Sequence, residues 1–182
     1  MCGRYIHPDA AAIERHWHIG RDNSDPFAAR YNVSPTTQVP ILLVKSDADR
    51  LELLMARWSF VPHWWKQAKP PAMTINARSE EAATKPMWRD AFRNVRCHVA
   101  FAALAWYEWR AQEQADPVTG EVRQYKQPFL IRRADSTPFC FAGLLSRWQP
   151  LNAEQPIVTV AILTKNASVS TQSVHDRMPV VL

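Results

Sequence analysis

Short apolar runs bounded by proline are the feature that most restricts how this chain can fold. The 182 residues include 14 Pro and only 4 Gly, so most turns are predicted to be stiff. Two of the runs flank the polar residues 45–50, which predicts a β-hairpin. The runs that we interpret as strands are Val39–Val44, Leu51–Trp58, Val99–Trp109, Pro128–Arg132, Pro138–Leu145 and Ile157–Thr164.

Helix signals are fewer than strand signals. Pro8-Asp9 precedes Ala10–Ile19, a segment whose apolar residues fall at helical spacing. Thr84 and Pro86 are typical of a second helix start. The apolar face of that second helix is predicted to consist of Met87, Ala91, Phe92 and Val95.

The order of these elements predicts the fold class. Strands outnumber helices and do not alternate with them as βαβ units, so we expect an α+β fold. Its core is predicted to be a mostly antiparallel, barrel-like sheet flanked by helices. The polar segment Arg110–Lys126 is predicted to be a loop. The length fits a single domain over residues 1–182.

Composition excludes several classes of protein. No segment reaches the ~20 apolar residues that a membrane span needs, and the N-terminus lacks the apolar run of a signal peptide. Three cysteines, Cys2, Cys97 and Cys140, are an odd number without metal-type spacing. They favour a reducing cytosol over a disulfide framework. We therefore expect a cytoplasmic protein without membrane association. The net charge of +5 and the eight Trp suit single-stranded nucleic acid, although basicity alone is weak evidence.

The second residue offers unusual chemistry. If Met1 is removed, Cys2 carries both a thiol with a pKa of about 8.5 and an α-amine with a pKa of about 7.7–8.0. The amine condenses with an aldehyde to an imine, and the thiol closes on the imine carbon to give a thiazolidine. The alternative interpretation is that Cys2 is an ordinary small residue on a frayed terminus.

Three further polar runs stand out, at residues 76–80, 106–109 and 173–179. Glu108 lies between tryptophans, and partial burial would raise its pKa towards the range of a general acid. Purely structural roles remain open for the other polar residues. Asn76 caps a turn, and Arg78 pairs with Glu80. His175 forms a surface pair with its acidic neighbour at a helix end. Together, a nucleophile, an acid, an imidazole and an amide form a plausible catalytic set.

These runs, with others that follow the same order along the chain, resemble the signatures of the SRAP (SOS response-associated peptidase) family. The resemblance extends from residue 1 to residue 179, and the combination of motifs is far more specific than any one of them. The matching segments are residues 1–5 (MCGRY), 30–36 (RYNVSPT), 58–64 (WSFVPHW), 76–80 (NARSE), 107–109 (YEW) and 175–179 (HDRMP).

The resemblance implies a protein that crosslinks itself to abasic sites in single-stranded DNA. Cys2 would be the nucleophile that forms a thiazolidine with the open-chain sugar. Glu108 would be the general acid and base that opens the sugar ring and transfers protons during ring closure. His175 would position or protonate the sugar hydroxyl and assist imine chemistry. Asn76 would hold the Cys2 terminus and the sugar. Removal of Met1 by the protein itself is also implied, as is lyase activity at the abasic site, and no metal or organic cofactor is implied.

DNA contacts are implied as well. Arg4, Arg78 and Arg177 would clamp phosphates, which suits the bidentate guanidinium. Trp64 would stack where a base is missing or displaced, a contact typically worth ~1–3 kcal/mol. The expected partner is single-stranded DNA containing abasic sites. The protein is expected to be monomeric and, when bound to DNA, associated with the bacterial nucleoid.

The chain departs from the family pattern in three places. Ser59 and Ala105 occupy positions where the family usually has Gly, and a positive φ at either would strain the turn. The chain also stops at Leu182, several tens of residues earlier than is usual, so we expect an SRAP-like domain without the C-terminal tail. Two rival functions remain: an N-terminal-nucleophile cysteine peptidase, and a single-stranded DNA-binding protein without catalysis.

Overall fold

The computed structural model describes residues 2–20, 26–45, 50–67, 70–71, 74–95, 99–151 and 153–182. Within these ranges the strands are β1 (Arg4–His7), β2 (Arg30–Val33), β3 (Gln38–Lys45), β4 (Arg50–Trp58), β5 (Asn76–Arg78), β6 (Val99–Ala103), β7 (Ala105–Ala115), β8 (Val122–Arg132), β9 (Phe139–Trp148), β10 (Ile157–Asn166) and β11 (Arg177–Pro179). The helices are α1 (Ala10–Trp17), α2 (Ser79–Ala82) and α3 (Arg89–Val95).

Five strands close into a barrel. Their order is β10-β4-β3-β6-β9, and β9 pairs back onto β10. Neighbouring strands are antiparallel except β4 and β10, which are parallel. The predicted α+β fold with a mostly antiparallel, barrel-like core is therefore confirmed, as is the β3–β4 hairpin. The hairpin's turn, residues 46–49, and Cys97 lie outside the described residues.

Aromatic side chains fill the core. The Tyr5 ring makes edge contacts with Trp58, Phe101 and Phe141 at centroid distances of 5.4, 6.5 and 6.0 Å. All four side chains are completely buried. Tyr5 comes from a second, four-stranded sheet of order β2-β1-β7-β8. The core therefore joins the two sheets through the side chains of β1.

The sequence predicted a loop over Arg110–Lys126, and this prediction is wrong. The segment forms most of a long hairpin in which β7 and β8 pair from Ala105↔Arg132 to Ala115↔Val122. Its residues are mostly exposed on both faces. Because neither face is buried, the sequence does not show the alternating apolar residues that would indicate a strand. Polar contacts between the two strands take the place of apolar packing. For example, the Tyr125 hydroxyl donates to Gln112 Oε1 at 2.8 Å.

The single strand predicted over Val99–Trp109 is two strands in different sheets. The chain turns a corner at Leu104, whose N–H donates to the Ile6 carbonyl at 2.9 Å. Because residues on both sides of this corner are buried, the apolar run gives no sign of it. Positive φ among the described residues occurs only at His18, Thr36, Gly120 and Ser136, so Ser59 and Ala105 do not strain the backbone.

Both predicted helices are present, with shorter bounds. Helix α1 begins at Asp9, whose Oδ1 accepts from the Ala12 N–H at 2.7 Å, and it ends at His18 in the left-handed conformation. Helix α3 is preceded by a turn, and Met87, Ala91 and Phe92 pack in a second apolar cluster that also contains Phe60. In the described part of the chain no helix is long and apolar enough to cross a membrane.

Candidate functional site

The pairing of β1 with β7 brings Cys2 close to Glu108. Arg4 lies opposite Tyr107 in this antiparallel ladder. Cys2 precedes Arg4 by two residues and Glu108 follows Tyr107 by one, so both lie at the same end of the strand pair. Their electrostatic interaction confirms the proximity, since the Glu108 charge raises the pKa of the Cys2 thiol.

The other two site residues, Asn76 and His175, lie on segments that flank the C-terminal half of β10. Strand β5 runs parallel to β10 on one side, with Asn76 opposite Ile162. Strand β11 runs antiparallel on the other side, with Arg177 opposite Asn166. The turn that carries His175 leads directly into β11. One strand end therefore positions Asn76 and His175, which are 99 positions apart in the sequence numbering.

The Cys2 thiol is fully buried and lies 3.8 Å from the Arg4 carbonyl oxygen. Burial raises its pKa strongly, and the Glu108 charge raises it further. The sulfur is therefore a neutral thiol near pH 7. A nucleophilic step by this sulfur requires a neighbouring base or a proton acceptor on the substrate.

Asn76 holds the backbone of Cys2. Its Nδ2 donates to the Cys2 carbonyl oxygen at 2.8 Å. Its Oδ1 is buried and has no hydrogen-bond partner among the described residues. An unpaired buried acceptor is costly, and it is the group that an incoming amine or hydroxyl would satisfy.

Glu108 is almost completely buried. Burial raises the pKa of its carboxyl group, Asp176 adds to that effect, and the charge of His175 opposes it. A carboxyl group with a raised pKa keeps a fraction of its proton closer to neutral pH than an exposed one. That property allows it to act as a general acid as well as a base.

His175 lies in a turn before β11 and not at a helix end. Its Nδ1 is 3.0 Å from the Arg177 backbone N–H and 2.6 Å from Asp176 Oδ1. One nitrogen cannot serve both partners at once. Without a proton Nδ1 accepts from the Arg177 N–H, and with a proton it donates to Asp176. The turn thus provides a partner for each protonation state, as a residue that exchanges protons requires.

The predicted DNA contacts differ in exposure. Arg4 donates to Asn32 Oδ1 at 3.1 Å on the surface. The Arg78 side chain is 60% exposed and lies 3.9 Å from Glu81, not from Glu80 as one interpretation had it. The Arg177 side chain is only 10% exposed, because Glu80 binds it at 2.6 Å. The sequence did not predict that Glu80 pairs with Arg177.

Trp64 lies apart from the cluster of Cys2, Asn76, Glu108 and His175. It is 41% exposed and lines a cavity of about 160 Å³ together with Met87 and Arg147. The next residue, Trp65, accepts a hydrogen bond from Trp148 Nε1 through its carbonyl oxygen at 2.9 Å. This places the tryptophan loop beside the start of β10, whereas the cluster lies near its end.

The four clustered side chains supply a thiol, an amide, a carboxyl group and an imidazole, which are the groups of nucleophilic and proton-transfer chemistry. Among the described residues there is no group of three or more His, Cys, Asp or Glu side chains that could hold a metal ion.

Comparison with known proteins decides the family. The sequence profile of the family described as SOS response associated peptidase (SRAP) matches residues 1–182. The chain belongs to the SRAP family. The SRAP resemblance that the motifs indicated is therefore confirmed over the whole chain.

Named SRAP relatives and a solved structure agree with this assignment. The abasic site processing protein YoqW of Bacillus subtilis is 34% identical over 100% of this chain and 76% of its own length. The abasic site processing protein YedK of Escherichia coli is 35% identical over 100% of this chain and 75% of its own. A crystal structure of a protein from Bacteroides thetaiotaomicron shares the fold, with a TM-score of 0.78, 21% identity, and coverage of 100% and 77%.

Proposed function

We propose that this SRAP protein captures abasic sites in single-stranded DNA through a covalent bond to Cys2, as part of a DNA damage response. The observation that carries the proposal is the convergence of Cys2 and Asn76, joined by a 2.8 Å hydrogen bond, with Glu108 and His175. The names of relatives such as YoqW and YedK, which are abasic site processing proteins, support the same substrate.

The first chemical stage is formation of an imine. Removal of Met1, which we assign to the protein's own peptidase activity, frees the Cys2 α-amine. Glu108 donates a proton to the ring oxygen and takes up the proton of the anomeric hydroxyl, so that the C–O bond of the ring breaks and the abasic sugar opens to its aldehyde. The amine adds to the aldehyde carbon, and the resulting hydroxyl leaves as water after protonation by Glu108 or His175.

The second stage closes the ring. The Cys2 sulfur attacks the imine carbon, and its proton passes to the nitrogen, so that one C–S bond forms and a thiazolidine results. The raised pKa of the thiol favours a transfer in which sulfur loses its proton as the bond forms. The overall reaction releases one water molecule. Interruption at the imine stage would allow β-elimination of the 3′ phosphate, which is the route to lyase activity.

The DNA would follow the basic surface next to the cluster. Arg4 and Arg78 have exposed guanidinium groups on the strands that carry Cys2 and Asn76, and phosphates are their expected ligands. Trp64 presents a partly exposed ring for base stacking. We propose that a monomer binds one strand in this way.

Mass spectrometry tests the proposal. The protein is mixed with an oligonucleotide that contains one abasic site, and we expect a stable adduct whose mass is the sum of the processed protein and the DNA minus one water. Cys2→Ala and an oligonucleotide with a tetrahydrofuran abasic analogue, which has no aldehyde, are the controls.

Each rival function predicts a different spectrum. Intact DNA binding without an adduct would favour a non-catalytic binding protein. Turnover of a peptide substrate without an adduct would favour an N-terminal-nucleophile peptidase. An undiminished adduct from Cys2→Ala would transfer the chemistry to another nucleophile.

A further inference from the structure

The two terminal nitrogens of the Arg177 guanidinium group are fully engaged by contacts within the chain, whereas its buried Nε has no hydrogen-bond partner among the described residues. Both terminal nitrogens bind Glu80, at 2.6 Å to Oε1 and 3.0 Å to Oε2. One of them also donates to Asn166 Oδ1 at 2.9 Å. The other donates to the Thr164 carbonyl at 2.7 Å and to Thr164 Oγ1 at 3.2 Å. The four protons on these nitrogens therefore meet five acceptor contacts, all of them intramolecular.

These contacts connect three segments of the site. Glu80 belongs to α2, which directly follows the Asn76 strand. Thr164 and Asn166 lie at the end of β10, and Arg177 begins β11. The bidentate ion pair thus fixes the position of the Asn76 segment relative to the β11 segment across the end of β10.

Arg177 is also the residue that orients His175. Its backbone N–H donates to His175 Nδ1 at 3.0 Å. The loop that carries His175 is closed at its base by the Ala167 N–H, which donates to the Asp176 carbonyl at 2.9 Å. Residue 177 therefore contacts the ion pair through its side chain and the imidazole through its backbone N–H.

We propose that Glu80 and Arg177 form a brace that positions His175, and that Arg177 acts through Glu80 and not as an independent phosphate ligand. The catalytic part of this inference rests on the proposed capture of abasic sites. Glu80 is thereby a positioning residue, since it acts through Arg177 and His175. A phosphate could reach the terminal nitrogens of Arg177 only by displacing one of the present acceptors, whereas Arg78 is open to solvent.

The pair Glu80→Gln and Glu81→Gln separates the brace from a phosphate clamp. Both substitutions remove one negative charge from α2, but Glu81 contacts Lys85 and Arg78 instead of Arg177. For each variant we would measure the rate of adduct formation at saturating abasic DNA. The affinity for an undamaged single strand would be measured over a range of salt concentrations.

The brace predicts that Glu80→Gln slows adduct formation at least about tenfold, because misplacement of a catalytic group by about 1 Å can cost up to 10²-fold. Its salt dependence of binding should equal that of Glu81→Gln, whose rate should match the wild type. If Arg177 is a phosphate ligand that Glu80 restrains, Glu80→Gln instead binds more tightly than Glu81→Gln. Its salt slope is then steeper by about 0.7 and its rate is unchanged, which would overturn the brace.

A third measurement does not depend on the reaction. Imidazole ¹⁵N–¹H spectra would report the His175 ring directly, with its signal assigned from a His175→Gln variant. The brace predicts that the His175 signal shifts in Glu80→Gln and stays in place in Glu81→Gln. An unchanged signal in Glu80→Gln would overturn the brace even if the wild type forms no adduct. If the wild type forms no adduct and the signal shifts, the proposed function fails while the brace stands.

Discussion

Burial determines the chemical state of individual side chains in this site. Burial raises the pKa values of both the Cys2 thiol and the Glu108 carboxyl. A neutral thiol and a carboxyl group with a raised pKa, beside an amide donor, are suited to a reaction that begins with protonation of a sugar oxygen and ends with loss of the thiol proton. The pKa shifts of these two side chains are therefore consistent with the proposed order of proton transfers.

The first prediction concerns Glu108→Gln. Glutamine keeps the shape of the side chain but cannot donate the acid proton, so the rate of adduct formation should fall by ~10²–10⁴-fold. The affinity for single-stranded DNA should stay constant or rise, because a buried negative charge is removed from the site that the DNA backbone approaches. Rate and affinity would be measured separately, by quenched time courses and by fluorescence anisotropy. Equal losses in both would mark Glu108 as structural.

The second prediction concerns His7, a buried residue outside the proposed chemistry. Its Nδ1 donates to the Pro8 carbonyl at 2.8 Å, and its buried Nε2 has no partner in the described part of the chain. Burial lowers the pKa of this histidine below its ordinary value of 6.5. Since the unfolded chain binds the proton more readily, the contribution of His7 to stability is complete above pH 6.5 and is lost as pH falls through the folded-state pKa.

The measurement is the free energy of unfolding in urea between pH 7.5 and about pH 5. We expect the free energy of unfolding of the wild type to decrease as the pH is lowered, and that of His7→Gln to decrease less steeply. His16→Gln is the matched control, because it removes an imidazole from an exposed position on α1 instead of a buried one. Parallel slopes in the wild type and His7→Gln would contradict the prediction.

At the scale of elements, sequence patterns predict those strands that bury at least one face and therefore contain many apolar residues. The β3–β4 hairpin and the long strands of the barrel follow from apolar runs, and α1 follows from its spacing and cap. The exposed part of the β7–β8 hairpin has no apolar face, so its pattern resembles a loop. Strands β1, β2, β5 and β11 have only three or four residues each, too few to show a period.

The same limit applies to the site. Motifs along the chain predicted Cys2, Asn76, Glu108 and His175 as a set, because they supply complementary catalytic groups and lie in segments that resemble the SRAP signatures. The partner of Glu80 was not predicted, since Arg177 lies 97 positions away and the sequence pointed only to the neighbouring Arg78. Pairing across sheets depends on strand order, and strand order is a property of the folded chain.

The third prediction tests a close approach between two barrel strands. A Cβ atom at Gly143 on β9 would overlap the Phe101 ring and lie 3.1 Å from the Ala161 carbonyl oxygen. Gly143→Ala should therefore destabilise the fold by about 1–3 kcal/mol, the usual cost of overpacking a core. The free energy of unfolding in urea is the measurement.

A double-mutant cycle provides the control for Gly143→Ala. Phe101→Leu removes the ring that the new methyl group would meet, so the loss in the double variant should be smaller than the sum of the two single losses. Strict additivity would show that the Phe101 ring is not the cause.

At the scale of the whole molecule, the site lies beside the barrel and not inside it. Buried aromatic rings fill the barrel, so the reactive groups lie where the second sheet and the short strands β5 and β11 meet the end of β10. Site residues from both ends of the sequence numbering are therefore held together by strands that pair with the barrel or pack against it. Basic residues at the far end of the β7–β8 hairpin, such as Arg123 opposite Gln114, add to the net charge of +5 at a distance along the strands from Glu108.

The last prediction asks whether the site or the total charge controls DNA binding. Arg78→Ala removes an exposed guanidinium next to Asn76, and Arg123→Ala removes one near the end of the β7–β8 hairpin, where Arg123 pairs with Glu121 at 3.6 Å. The two variants have the same net charge. If phosphates bind beside Cys2, Arg78→Ala should weaken binding to all single-stranded sequences and reduce the salt slope by about 0.7, the value for one phosphate contact. Arg123→Ala should leave that slope at its wild-type value, and equal slopes in the two variants would mean that net charge, not this surface, determines affinity.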